Sequence, residues 1–188
     1  MEKDLNSIYK ETRHKMEVSL NVLKNEIKGI RSGRAHPSLV EDLPIDYYGT
    51  KTPLKQLASI TVPEARLIVI QPWDRNSLSA IEKAILASDL GITPSNDGKV
   101  IRLNLPQLSE EQRNNLIRVV NKKAEEIRIA IRNVRREAIH EIESLLKEKL
   151  ISEDDKKRAE KEVQKITDEF ISKVNKIVKE KEEEIKEV

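Results

Sequence analysis

Residues 116–145 read LIRVVNKKAEEIRIAIRNVRREAIHEIESL and contain neither glycine nor proline. Apolar side chains recur in this segment at intervals of three and four positions. They are Leu116, Val120, Ala124, Ile127, Ile131, Val134, Ala138, Ile142 and Leu145. This spacing places all of them on one side of an α-helix. The segment therefore predicts a long amphipathic helix, about 50–60 Å in length, that buries one narrow stripe.

Two further segments show the same periodicity. Residues 1–29 carry a stripe that includes Met16, Leu20 and Leu23, and residues 153–188 carry one centred on Phe170. Capping boxes at 109–112 (SEEQ) and 152–155 (SEDD) mark two helix starts. The three stripes predict a three-helix bundle within one chain. An oligomeric coiled coil is the alternative.

The middle of the chain has a different character. All seven prolines lie between Pro37 and Pro106, and strand-like runs occur at 45–48, 67–70 and 100–103. A short helix is expected from Ser77 to a stop at Leu90-Gly91. The fold class is therefore α+β: a bundle of residues 1–29 and 105–188, with a β/α/β domain of residues 30–104 inserted. The two connections, 30–33 and 104–106, are the predicted hinge. The hinge residues are Ile30, Arg31, Ser32, Gly33, Asn104, Leu105 and Pro106.

Composition excludes several classes of protein. There is no cysteine, which removes disulfides, thiol catalysis and cysteine-bound metals and suits a reducing cytosol. No apolar run is long enough for a membrane span, and the charged N-terminus lacks a secretory signal core. With a net charge of only +2, nucleic-acid binding would need a local basic patch.

Such a patch is present between residues 113 and 136, which contain eight basic residues and only two acidic ones, Glu125 and Glu126. On a helix, five arginines fall within about 100° of arc, away from the apolar stripe. They are Arg118, Arg128, Arg132, Arg135 and Arg136, with Lys122 beside them. Guanidinium groups match phosphate oxygens, so the face suits the backbone of a folded nucleic acid. The alternative is a solvated face whose arginines pair with glutamates of a neighbouring helix.

Signals for an enzyme are weak. No histidine has a partner at metal-ligand spacing, and no phosphate loop or nucleophile elbow is present. Ser32, His36 and Asp42 are close in sequence, but one short loop is a poor source for a catalytic triad. Trp73 is interpreted as core or strand-end packing, with a partner-facing anchor as the alternative. We therefore expect no catalytic residues, cofactor, metal or small-molecule substrate.

Several blocks of the sequence, spread over essentially the whole chain, resemble the ribosome recycling factor family. They are RSGRA (31–35), YYGT (47–50), PLKQLA (53–58), EKAI (82–85), ASDLG (87–91), AIRNVRR (130–136), SEDD (152–155) and QKITD (164–168). The blocks occur in the order and at the spacing of the family.

The resemblance implies an L-shaped monomer of transfer-RNA dimensions. Such a protein is cytoplasmic, binds ribosomal RNA of the large subunit through its bundle, and splits the post-termination ribosome with elongation factor G and GTP. Arg132 matches an arginine on which the family relies for RNA contact, and Arg128, Arg135 and Arg136 share its face. Lys122 and Arg118 are supported mainly by charge and spacing. A helical adaptor that binds only proteins is the rival function.

Overall fold

The computed structural model describes residues 4–187. Residues 1–3 and 188, which the predicted bundle includes, lie outside the described residues. The α-helices are α1 (Leu5–Lys28), α2 (Leu54–Leu57), α3 (Leu78–Ala87), α4 (Glu110–Lys147) and α5 (Glu153–Lys186). The β-strands are β1 (Pro44–Tyr47), β2 (Thr50–Pro53), β3 (Ala58–Glu64), β4 (Leu67–Pro72), β5 (Pro94–Asn96) and β6 (Ile101–Asn104). The mixed α+β class predicted from the sequence is confirmed.

The starts of α4 and α5 follow the two predicted capping boxes. The backbone N–H of Ser109 donates to the Gln112 side chain (2.9 Å), and the Gln112 N–H donates back to the Ser109 hydroxyl (3.2 Å). Ser152 and Asp155 exchange the same pair of bonds at 3.0 and 3.1 Å. These bonds satisfy backbone donors that have no partner inside the helix, so each start is fixed by its local sequence.

The apolar stripes of the three long helices form a common core. One cluster joins α1, α4 and α5 through residues that are all less than a tenth exposed, namely Ile8, Ala138, Ile142, Leu145, Ala159 and Val163. Phe170, the largest buried side chain, is 1% exposed. The stripes are thus buried within the single chain, which confirms the helical bundle.

The middle of the chain forms two antiparallel sheets. β1 pairs with β2, and the second sheet has the order β3-β4-β6-β5. Ile68 lies opposite Leu103 and Ile70 opposite Ile101, and all four side chains are fully buried. The apolar side of α3, which includes Ile81 and Ile85, belongs to the same core. This core stabilises the small domain through its own buried residues.

Some elements differ from the sequence-based prediction. Strands β2, β3 and β5 were not expected, because β2 and β5 have only four and three residues and β3 contains a proline, Pro63. The short helix was expected to stop at Leu90-Gly91 but ends at Ala87. Its last turn closes early because the Ser88 hydroxyl donates to the Ile85 carbonyl at 2.6 Å.

The chain divides into two compact units. The helical unit contains Met1–Arg31 and Asn114–Glu183, and the sheet unit contains Ser32–Arg113 and Glu184–Val188, each within the described residues. The predicted domain bounds, after residues 29 and 104, stay a prediction. A search of the described residues for a helix long and apolar enough to cross a membrane finds none.

Candidate nucleic-acid interface

We use the name arginine face for six basic residues on α4 that lie within the helical unit. They are Arg118, Lys122, Arg128, Arg132, Arg135 and Arg136. Arg118, Lys122, Arg132 and Arg136 are exposed, whereas Arg128 and Arg135 are half-buried. One uninterrupted helix carries all six, so the 3.6-residue period alone brings them to one side.

Arg128 is held from two sides. Its Nε and Nη2 atoms both donate to Oδ1 of Asn175 on α5, at 3.2 and 2.8 Å. Its Nη1 donates to Oε2 of Glu125 at 3.3 Å. The side chain is only 20% exposed. The planar guanidinium is therefore fixed in orientation before any ligand binds.

Arg132 shares the same carboxylate. Its Nη1 lies 3.2 Å from Oε1 of Glu125, and its side chain remains 46% exposed. The hydrogen bond from Arg132, followed by the bond from Arg128, holds the pKa of the Glu125 carboxyl below its ordinary value. Glu125 is therefore ionised at neutral pH and bridges the two arginines.

The remaining arginines differ in their contacts. Arg135 donates from Nη1 to Oε1 of Gln164 on α5 (3.0 Å), and Gln164 donates in turn to Asp168 (2.8 Å). The Nε of Arg135 is buried and has no hydrogen-bond partner among the described residues. Arg136 donates to Asn133 at 3.3 Å.

Arg118 and Lys122 lie towards the N-terminal end of the arginine face. Within residues 4–187, neither side chain has a hydrogen bond or ion pair. Both side chains are exposed, so their charges are available to an anion from solvent.

The partners supplied by α5 are amides rather than carboxylates. Asn175 and Gln164 accept from Arg128 and Arg135 without cancelling their charge. The alternative in which glutamates of a neighbouring helix neutralise the face is therefore wrong for these two arginines. The only carboxylate paired with Arg128 and Arg132 among the described residues comes from α4 itself, at Glu125.

The amide partners of Arg128 and Arg135 were not predicted from the sequence. Asn175 and Gln164 are eleven residues apart, which places them within about 20° of each other around α5. That shared direction is a detectable signal. The orientation of α5 about its own axis relative to the arginines is the part that the sequence does not give.

The first predicted hinge connection follows α1. Ile30 donates its N–H to the Ile27 carbonyl (3.1 Å) and Arg31 ends the helical unit. Ser32 is 4% exposed, and its hydroxyl donates to Oε1 of Glu184 at 2.7 Å. Gly33 adopts φ +81°, a conformation that glycine reaches without strain. Ile30 and Gly33 are therefore bends in a connection without regular secondary structure, and Ser32 and Gly33 are counted in the sheet unit.

The second predicted hinge connection follows β6. Asn104 is the last residue of β6 and lies opposite Leu67. The N–H of Leu105 donates to the Arg66 carbonyl at 2.8 Å. Pro106 is exposed and outside any strand or helix. Pro106 is the first of the three predicted residues beyond these sheet-side pairings.

The structure also shows where the other residues singled out in the sequence lie. Trp73 is 72% exposed, so the interpretation as a core residue is wrong, and its backbone N–H donates to the Leu57 carbonyl at 3.0 Å. Nδ1 of His36 lies 2.8 Å from the Ser38 hydroxyl. Among residues 4–187, no group of three or more His, Asp or Glu side chains could hold a metal ion.

Comparison with known proteins places these features in a family. The sequence model of the ribosome recycling factor family matches residues 23–185. The ribosome-recycling factor of Heliobacterium modesticaldum is 52% identical over 184 residues, which cover 98% of this chain and 100% of the relative.

Two solved structures give the same assignment. A solution structure of the ribosome recycling factor has 48% identity, a TM-score of 0.76 and full coverage of both chains. The second structure describes the T. thermophilus ribosome recycling factor and the E. coli elongation factor G bound to the E. coli post-termination complex. Its matching chain has 51% identity and a TM-score of 0.66, and the match covers 97% of this chain and 99% of that one. This chain belongs to the ribosome recycling factor family, whose members are translation factors and not enzymes.

Proposed function

We propose that the chain binds the post-termination ribosome at large-subunit ribosomal RNA and, with elongation factor G and GTP, splits the ribosome into subunits. The observation that carries this proposal is the arginine face, where neutral amides of α5 orient Arg128 and Arg135, and the other four basic side chains are exposed. Family membership supports the ribosome as target, since the matching T. thermophilus factor is described on a post-termination complex.

Binding follows from the chemistry of the arginine face. α4 has 38 residues, which corresponds to a rod of about 57 Å. Cations along one side of such a rod can contact several phosphates in succession and release their condensed counterions. Helix α4 contains no Phe, Trp or Tyr, so the arginine face is suited to backbone shape rather than to stacking on unpaired bases.

The splitting step uses energy from outside the chain. Elongation factor G hydrolyses GTP and pushes the inserted domain, and the connections at 30–33 and 104–106 let this domain move while the bundle stays on RNA. The pairing of Asn104 and Leu105 with the sheet favours the later part of the second connection, from Pro106 onward, as the flexible point. In this proposal the chain works as a cytoplasmic monomer.

Co-sedimentation with isolated large and small ribosomal subunits across a salt series tests the proposal. We expect binding to the large subunit that falls steeply with salt, because phosphate contacts release counterions. Arg132→Ala should weaken this binding about 5- to 100-fold, the range of a charge-assisted hydrogen bond, and should reduce the salt slope by about one. The melting temperature should hardly change, because Arg132 is 46% exposed.

Arg158→Ala is the matched control. It removes an arginine from α5 that is 78% exposed and bound only to Asp155 at 3.8 Å among the described contacts, so affinity should stay within about twofold. Binding that ignores salt, or is equal for Arg132→Ala and wild type, would favour the protein-only adaptor. If Arg132→Ala lowers the free energy of unfolding as much as it lowers the free energy of binding, Arg132 is a structural residue.

A further inference from the structure

Glu125 occupies an unusual place in the arginine face. Exposed or half-exposed residues follow one line along α4 at intervals of four and three, and Glu125 is its single acidic member. The line consists of Arg118, Lys122, Glu125, Ile129, Arg132 and Arg136. A negative charge in the middle of a phosphate-binding surface opposes general anion binding, so its presence requires a reason.

The carboxylate of Glu125 is engaged but not enclosed. Oε1 accepts from Arg132 and Oε2 accepts from Arg128, while the side chain remains 51% exposed. An ionised carboxylate offers about four lone-pair sites, and these two contacts use only two of them. The two guanidiniums hold the carboxylate in place and keep it ionised, so it presents fixed, unused acceptors to solvent.

Fixed acceptors and phosphate groups are incompatible, because both are anionic and neither donates a hydrogen bond. A ribose 2′-hydroxyl or a base amino group is the opposite case, because it donates and carries no charge. An RNA that presents such a donor at Glu125, and phosphates at the neighbouring arginines, satisfies the whole line. A polyanion with phosphates alone meets repulsion at its centre.

We propose that Glu125 determines the specificity of the arginine face: it accepts a hydrogen bond from a hydroxyl or amino group of RNA and rejects phosphate at that position. The inference rests on the RNA-binding function proposed above. It adds that the face discriminates among anions by one built-in negative charge, which Arg128 and Arg132 position.

Glu125→Gln tests this inference against Glu126→Gln as the matched control. Glu126 is exposed, adjacent in sequence and turned about 100° around α4 from Glu125. Within residues 4–187 its side chain has no hydrogen bond or ion pair. Both variants remove one negative charge from the same helix. Binding is measured over a salt series to two probes, isolated large ribosomal subunits and inorganic polyphosphate, which offers phosphate and almost no hydrogen-bond donors.

We expect Glu125→Gln to bind polyphosphate about 3- to 10-fold more tightly at low salt, because a like charge next to the phosphate site is gone. Its affinity for the large subunit should stay level or fall. The ratio of large-subunit affinity to polyphosphate affinity then falls by at least about 3- to 10-fold, while Glu126→Gln keeps the wild-type ratio within about twofold. Glu125→Asp, which keeps the charge, should retain the low polyphosphate affinity.

The inference is overturned if Glu125→Gln tightens both probes by the same factor, or if its ratio matches that of Glu126→Gln. A melting temperature measured on each variant separates these results from unfolding, and Glu125→Ala, which also removes the carboxylate, repeats the test if Glu125→Gln is unstable. Failure of the proposed function looks different, because wild-type protein would then bind large subunits without salt dependence.

Discussion

Gly33 carries two constraints on a single residue. Its φ of +81° lies in the left-handed region, where the backbone of a residue that carries a Cβ atom is strained. A Cβ built at this position would also lie 2.8 Å from Cδ1 and 2.9 Å from Cγ of Leu108. Gly33 therefore allows the turn and also lets the chain pass close to Leu108.

Gly33→Ala should lower the free energy of unfolding by about 2–4 kcal/mol, from left-handed strain plus overpacking. Gly49→Ala is the matched control, since Gly49 has φ +79° but no atom within 4 Å of the added Cβ; it should cost about 1 kcal/mol. Chemical denaturation measures both. The difference between them should shrink in a Leu108→Ala background, and an unchanged difference would contradict the steric part of the argument.

At the residue scale, the positions of the arginines were predicted from the sequence, but their hydrogen-bond partners were not. The positions of Arg128, Arg132 and Arg135 on one side follow from the helical period, which a sequence contains in full. The contacts of Arg128 with Asn175 and of Arg135 with Gln164 depend on how α5 is rotated against α4, which is decided by packing. Trp73 shows the same limit, because a tryptophan after a strand carries no signal of its exposure.

The turn between α4 and α5 is fixed by backbone geometry. Lys149 has φ +60°, its N–H donates to the Leu146 carbonyl, and the N–H of Leu150 donates to the Leu145 carbonyl, both at 3.0 Å. This pair of bonds is the Schellman motif, in which the left-handed position usually holds glycine. A lysine at that position carries strain that the connection between the two longest helices tolerates.

Lys149→Gly should therefore raise the free energy of unfolding by about 0.5–1 kcal/mol, since relief of left-handed strain exceeds the added entropy of the unfolded chain. Thermal denaturation of the bundle measures the change. Lys147→Gly, two residues earlier at the last position of α4, should instead lower stability by up to about 1 kcal/mol. A loss of stability in Lys149→Gly would show that the lysine side chain contributes more than its backbone strain costs.

The elements that the sequence predicted well are those with long periodic patterns. α1, α4 and α5 repeat their apolar positions over many turns, and α4 and α5 also begin at the predicted capping boxes, so packing and local signals agree. β3 contains Pro63 and β5 has three residues, and both are strands because they pair with β4 and β6. Such strands are defined by their neighbours, which periodicity within seven residues or fewer does not reveal.

At the scale of the whole molecule, the helical unit and the sheet unit each have a hydrophobic core of their own. Leu20 on α1 is 1% exposed in the helical unit, and Ile81 on α3 is 0% exposed in the sheet unit. Substitutions in separate cores with no shared neighbours act independently on stability. Each unit can therefore be weakened alone, and the proposed division of labour between them becomes measurable.

Ile81→Ala should remove about 2–5 kcal/mol from the sheet unit, as expected for a cavity in a packed core, and leave amide hydrogen exchange in the helical unit unchanged. Binding to the large subunit should stay within about twofold of wild type, because the arginine face lies in the helical unit. Splitting with elongation factor G and GTP, followed by light scattering, should slow, because a loosened sheet unit transmits force poorly. Leu20→Ala is the reciprocal variant: exchange should rise in the helical unit and binding should weaken first. If Ile81→Ala loses binding as strongly as Leu20→Ala does, the RNA contact depends on both units and the division of labour is wrong.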